Sequence, residues 1–119
     1  MAESYHEENL SDKAKDMHRA IVSLKEELEA VDWYNQRADV SPDAELKEIL
    51  LHNRNEEIEH ASMLLEWLRR NETAFDEELK TYLFTTLPVT QVEEAEAAGE
   101  EEDSSSAAGA SLGIGSLKK

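Results

Sequence analysis

Two long stretches of helical hydrophobic spacing, parted by the tripeptide Ser41-Pro42-Asp43, constrain this chain more than any other feature of it. Before the break, Leu10, Ala14, Met17, Ile21, Leu24, Leu28 and Val31 alternate steps of four and three residues, which lines them along one face of a helix. After it, Leu46, Ile49, Leu50, Ala61, Leu64 and Leu68 carry a second apolar stripe to about Arg70, a helix of roughly 27 residues and about 40 Å. The residue before a proline avoids the helical region, Ser41 is suited to capping, and Pro42 to a first helical position. The second helix is therefore expected to begin there and to fold back antiparallel on the first. A short third helix is expected over 73–84, with Phe75, Leu79 and Leu83 inward, ending before Pro88.

Such a hairpin leaves work undone. Its second helix carries a further apolar row at Leu51, Ile58 and Leu65, turned well away from the first stripe and in need of another surface to cover it. The simplest remedy is a second copy, because a two-fold axis converts two hairpins into a four-helix bundle. The expected fold is all-α: a two-helix antiparallel hairpin with a short C-terminal helix, completed as a bundle by dimerisation.

Composition narrows the ligands. Asp and Glu outnumber Lys and Arg by 28 to 12, a formal charge of −16 that repels nucleic acid and anionic membranes and attracts cations. With no Cys in the chain, Asp, Glu and His are the strong metal ligands left, a set suited to hard or borderline ions. No apolar run approaches the roughly 20 residues of a bilayer span, and residues 1–10 lack the pattern of a signal peptide, so a cytoplasmic location is expected. Beyond Pro88, residues 93–103 carry seven acids in eleven and give way to a Ser/Ala/Gly run, the composition of a solvated linker. Apolar residues return at Leu112, Ile114 and Leu117, between small residues. The expected divisions are a helical domain over 1–97, a linker over 98–111 and a terminal peptide over 112–119.

The second stripe is polar where it should be apolar. At about 100° per residue, Asn53, Glu57 and His60 fall between Leu46, Ile49 and Leu50 on one side and Ala61 and Leu64 on the other. An isolated buried carboxylate costs several kcal/mol, so it must be paired, protonated or metal-bound. Glu57-x-x-His60 has the spacing found in carboxylate-bridged di-iron bundles, which also take a Glu from each of two other helices. Glu27, on the shoulder of the first helix beside Ala20, Ala30 and Tyr34, is the candidate. One chain then holds half of the four-Glu, two-His complement, so the missing core and the missing ligands have the same remedy. These ligands suit Fe(II), Mn(II) or Zn(II), and a di-iron pair would pass electrons to dioxygen. Tyr34 is placed to donate a hydrogen bond to a ligand or to supply an electron, and equally to pack at the bundle edge. Glu26 and Glu29, with Trp33 a turn on, are either a cation-gathering pair or plain solvated surface. His52, Glu56 and Glu59 share a face that offers a peripheral site for Ca or another divalent cation.

Four segments resemble the encapsulated ferritins, short ferritin relatives packaged in encapsulin shells: HRAIVSLKEELEAVDWYNQR (18–37), HNRNEEIEHASMLLEWLRRN (52–71), TYLFT (81–85) and LGIGSL (112–117). The likeness covers the chain from about Met17 to its end, with the acidic linker and the first dozen residues matching poorly. It implies a ferroxidase centre on Glu27, Glu57 and His60 with Tyr34 nearby, and a metal entry route past Glu26 and Glu29. It further implies an open ring of dimers, a decamer, docked inside the shell through Leu112, Ile114 and Leu117, with the shell storing the mineral.

Rival readings are a different di-metal activity, such as a rubrerythrin-like peroxidase or a hemerythrin-like oxygen carrier, and a metal-free helical scaffold. Rubrerythrin-type electron supply usually brings a Cys-ligated iron, and hemerythrin sites are His-rich, whereas this chain has no Cys and four His. A scaffold leaves Glu57 and His60 in the stripe without purpose.

Overall fold

The computed structural model describes residues 4–102. Four helices follow in order: α1 Asp12–Val40, α2 Ala44–Asn71, α3 Thr73–Tyr82 and α4 Val89–Glu102. They form two compact units that divide between Asn71 and Glu72. The division falls where Glu72 leaves the helical region, at φ −141° and ψ 111°.

The first unit is the antiparallel hairpin of α1 and α2. Ser11 opens α1 by accepting a hydrogen bond from Ala14 N at 3.1 Å, which satisfies an amide that the helix itself leaves free. At the far end Ser41 is extended, as a residue before proline must be, and its N–H closes the helix on Arg37 O at 3.1 Å. The expectation that Ser41 caps α2 is corrected here. Asp43 does so, its Oδ2 accepting from Leu46 N at 2.8 Å, and Pro42 stands just outside the helix instead of at its first position. An aspartate is the stronger cap because its charge also meets the positive end of the helix dipole. The last turn of α2 is tied by Glu66, which accepts from both Arg69 and Arg70 and is held down at about 2 by those two guanidinium groups.

The buried apolar residues of this unit are Ala20, Val22 and Ala38 on α1 and Ala61 and Leu68 on α2, with Leu68 at 1% exposure. Several residues of the expected stripes are not covered: Ile21, Leu28, Leu46 and Ile49 lie open, Leu28 at 54% and Ile49 at 51%. Two helices shield only one face of each other, and α1 meets α2 along a face turned toward Ala20, Glu27 and Ala38. Ile58 of the second α2 row is also open. Trp33, Met63 and Trp67 add to the uncovered apolar surface of the hairpin.

In the second unit α3 packs on α4. The third helix stops at Tyr82, two residues short of expectation, because Leu83 turns extended and Phe84 takes a left-handed φ of 63°. Phe75 and Leu79 are half-buried, whereas Leu83 is exposed. Pro88 O then accepts from Gln91 N and Val92 N, starting α4, whose Val92 is buried. Residues 93–102 are thus helical where linker composition suggested irregular chain, and α4 crosses the expected boundary at 98. Ala and Glu are both good helix formers, and here that preference outweighs the repulsion among the acids. The rest of the expected linker and the peptide over 112–119 lie outside the described residues.

Candidate metal centre

Glu27 projects from the middle of α1, and Glu57 and His60 from the middle of α2, one turn apart on the same face. Antiparallel pairing brings the three together. Among the described residues they are the one group whose ligand atoms converge, one from each side chain and all within 4.8 Å of one another. His60 Nδ1 lies 3.2 Å from Glu57 Oε1 and 3.5 Å from Glu27 Oε1. The cluster is half-buried, not sunk in a closed core: the Glu57, Glu27 and His60 side chains are 24%, 26% and 42% exposed.

The electrostatics follow from crowding two carboxyl groups. Glu27 is raised above its ordinary value, first by sharing a hydrogen bond with Glu57 and then by desolvation and the charge of Glu57. Glu57 is lowered, first by that same bond and also by the hydrogen bond and charge of His60. His60 is raised, chiefly by its hydrogen bond to Glu57, with Glu27 adding to the effect. Two carboxyl groups and an imidazole crowded together mark where a cation would be welcome. Glu27 Oε1 makes the point directly, because it is buried and accepts no hydrogen bond. Adjacent donor atoms bonded to one iron or zinc at about 2.0–2.2 Å stand about 2.8–3.6 Å apart, and His60 Nδ1 already lies in that range from both carboxylates. Two carboxylates and an imidazole thus fit a divalent transition metal, with open positions left for further ligands.

The other expected site residues fall outside this group. Tyr34 is half-buried two turns along α1 from Glu27, about 10 Å by helical rise, with the Arg37 guanidinium 5.4 Å from its ring centroid. The same guanidinium stands 6.0 Å from the Trp33 ring, a cation–π arrangement that the spacing pattern did not single out. Glu26 and Glu29 are both exposed on the outer side of α1. His52 Nε2 and Glu56 Oε2 are 3.6 Å apart at the surface, and Glu59, also exposed, does not join them in a converging group. Arg54 carries no signal in the spacing pattern. Its Nη1 donates to Asn35 Oδ1 at 2.9 Å, from α2 to α1 and one turn from Glu57.

Comparison with known proteins agrees with the fold. An EncFtn-like family model matches residues 3–86. An encapsulated ferritin-like protein of Rhodospirillum rubrum is 57% identical over 123 aligned positions, spanning 97% of this chain and 88% of that one. A ferritin-like protein of Thermotoga maritima is 51% identical over 119 positions, 98% of this chain and all of its own length. The crystal structure of a protein from Nitrosomonas europaea superposes with a TM-score of 0.70 at 63% identity, covering 73% of this chain and 98% of that one. No helix among the described residues is long and apolar enough to cross a membrane. A helical hairpin with a Glu/Glu/His cluster at its centre and this degree of likeness leaves one assignment, and the chain belongs to the EncFtn-like family of encapsulated ferritin-like proteins.

Proposed function

We propose that the chain is a ferroxidase, oxidising Fe(II) to Fe(III) with dioxygen at a centre shared by two copies and delivering ferric iron for storage within an encapsulin compartment. The observation that carries this reading is the half-complement: one chain gathers two Glu and one His within 4.8 Å, where a ferritin-like di-iron bundle uses four Glu and two His. The surface that would meet the second copy is available, since Leu28, Ile49 and Ile58 remain uncovered. Two copies related by a two-fold axis supply both the ligands and the missing apolar contact.

Iron is the substrate. Each Fe(II) yields one electron, and a pair of ions held side by side supplies two electrons to one dioxygen, which takes up two protons and leaves as hydrogen peroxide. The residues hold each ion through carboxylate oxygen and imidazole nitrogen, which stabilise the higher charge of Fe(III) as it forms. The cation competes with the proton at Glu27, whose carboxyl is raised above its ordinary value. The surplus of acidic residues favours cation approach over the whole surface, and Glu26 and Glu29 lie beside the Glu27 ligand on α1. An open ring of dimers, the decamer, would have no cavity of its own, so the shell would hold the mineral. Leu112, Ile114 and Leu117 would dock the ring to the shell wall as an extended peptide with alternate side chains in pockets.

The test is aerobic addition of Fe(II) with ferric absorbance followed in time. The parent chain should oxidise iron well above the uncatalysed rate and Glu57→Ala should not; equal rates for the two would refute the assignment.

A further inference from the structure

The buried residues of the hairpin are mostly small, Ala20, Ala38 and Ala61 among them. Small side chains let two helices approach closely but present little relief to stop one sliding along the other. Register nevertheless decides the metal centre. A slip of one turn moves α2 by about 5.4 Å along its axis, more than the whole 4.8 Å spread of the three ligand atoms. The three-residue connection 41–43 resists a slip of that size, and a directional contact beside the centre would set the finer play that remains.

Arg54 is built to do so. Its Nε and Nη2 both donate to Oδ1 of the neighbouring Asn55, at 3.2 and 3.0 Å, which fixes the plane of the guanidinium on α2. The remaining arm, Nη1, then reaches across to Asn35 Oδ1 on α1 at 2.9 Å. Arg54 stands one turn before Glu57, while Asn35 is eight residues after Glu27, so the bond lies between the centre and the Ser41-Pro42-Asp43 turn. A bond between rigid helices this near the ligands holds Glu27 opposite Glu57 and His60. We infer that Arg54 and Asn35 form a register clamp, with Arg54 as a positioning residue that sets the spacing of the metal ligands without touching the metal. The inference rests on the metal-centre reading above.

The clamp is tested in the full chain with Co(II) as probe, by titration and by the d–d absorption that reports coordination geometry. Arg54→Ala and Asn35→Ala should each weaken Co(II) binding by about ten- to a hundredfold and alter the band, the range typical when a group orienting a metal ligand is lost. The double variant should be no worse than either single one, because both remove the same bond. Asn35→Asp keeps an acceptor in place and should bind Co(II) as the parent does. Arg54→Lys, a single point donor that cannot brace on Asn55 and reach Asn35 together, should behave like Arg54→Ala. Melting curves are recorded alongside: variants that melt lower but bind Co(II) with parental affinity and spectrum overturn the clamp, as do single effects that multiply in the double variant. If Asn35→Ala does not fold, Asn35→Asp and Arg54→Lys decide between the same outcomes. A parent chain that binds no Co(II) overturns the metal-centre reading and the clamp with it, whereas parental binding in Arg54→Ala overturns the clamp alone.

Discussion

Glu27 Oε1, on α1, and His60 Nδ1, on α2, stand 3.5 Å apart across the hairpin, and the glutamate oxygen is buried without a hydrogen bond. A carboxyl oxygen with only that long imidazole contact is open to a stronger partner, and a cation would be one. This one relationship links the fold, which brings two distant residues together, to the chemistry, which needs them together.

Metal uptake should compete with protons over an unusual range. Glu27 and His60 are both raised, so each still holds a proton at pH values where an ordinary carboxyl or imidazole has released it. Binding should therefore release protons, and apparent Co(II) affinity should fall as pH drops through the raised His60 and Glu27 values. A pH-indicator dye in weak buffer measures the release; Glu27→Gln should bind Co(II) poorly and release fewer protons.

Placing a charge on the uncovered face should separate folding from assembly. Leu28 and Ile58 are 54% and 44% exposed in the single chain, so Leu28→Glu or Ile58→Lys costs the hairpin little. Across a subunit interface the same charge would be buried and unpaired, at several kcal/mol. Circular dichroism should show parental helicity while light scattering shows a smaller species and iron oxidation drops.

The acidic pair on the outer side of α1 should tune rate only. Glu26 and Glu29 are exposed and outside the ligand cluster, so their joint replacement by Ala should slow ferrous oxidation without abolishing it, and more so at low salt. Stopped-flow traces unchanged in the double variant would return the pair to ordinary solvated surface.

Much of the fold and centre was legible in the sequence, for identifiable reasons. The helices declared themselves because their apolar steps hold over many turns, and Pro42 left the chain nowhere to continue. Glu57 and His60 stood out because polar residues interrupted an apolar stripe. Asp43 was passed over because a serine and an aspartate on either side of a proline both have capping chemistry, and only backbone geometry chooses between them. The α4 helix is masked by the density of charge in residues 93–102, although Ala and Glu favour helix. Which of the stripe residues stay uncovered depends on the angle at which α1 meets α2, and Arg54 with Asn35 depends on its register; neither is encoded in local spacing.

The tail should carry addressing and nothing else. Deleting residues 112–119 should leave the rate of iron oxidation unchanged, while the shortened chain no longer copurifies with encapsulin shells when both are expressed together. Continued loading would remove Leu112, Ile114 and Leu117 from that role.

The central claim is that the centre belongs to two chains. The most direct test measures ferrous oxidation over a range of protein concentrations at a constant ratio of Fe(II) to chain, with mass in solution followed by analytical ultracentrifugation on the same samples. If each chain holds half of the centre, the rate per chain rises with the fraction present as dimer or larger species, and Fe(II) itself drives that assembly by mass action. A monomeric population that oxidises iron at the same rate per chain as the assembled one would contradict the account.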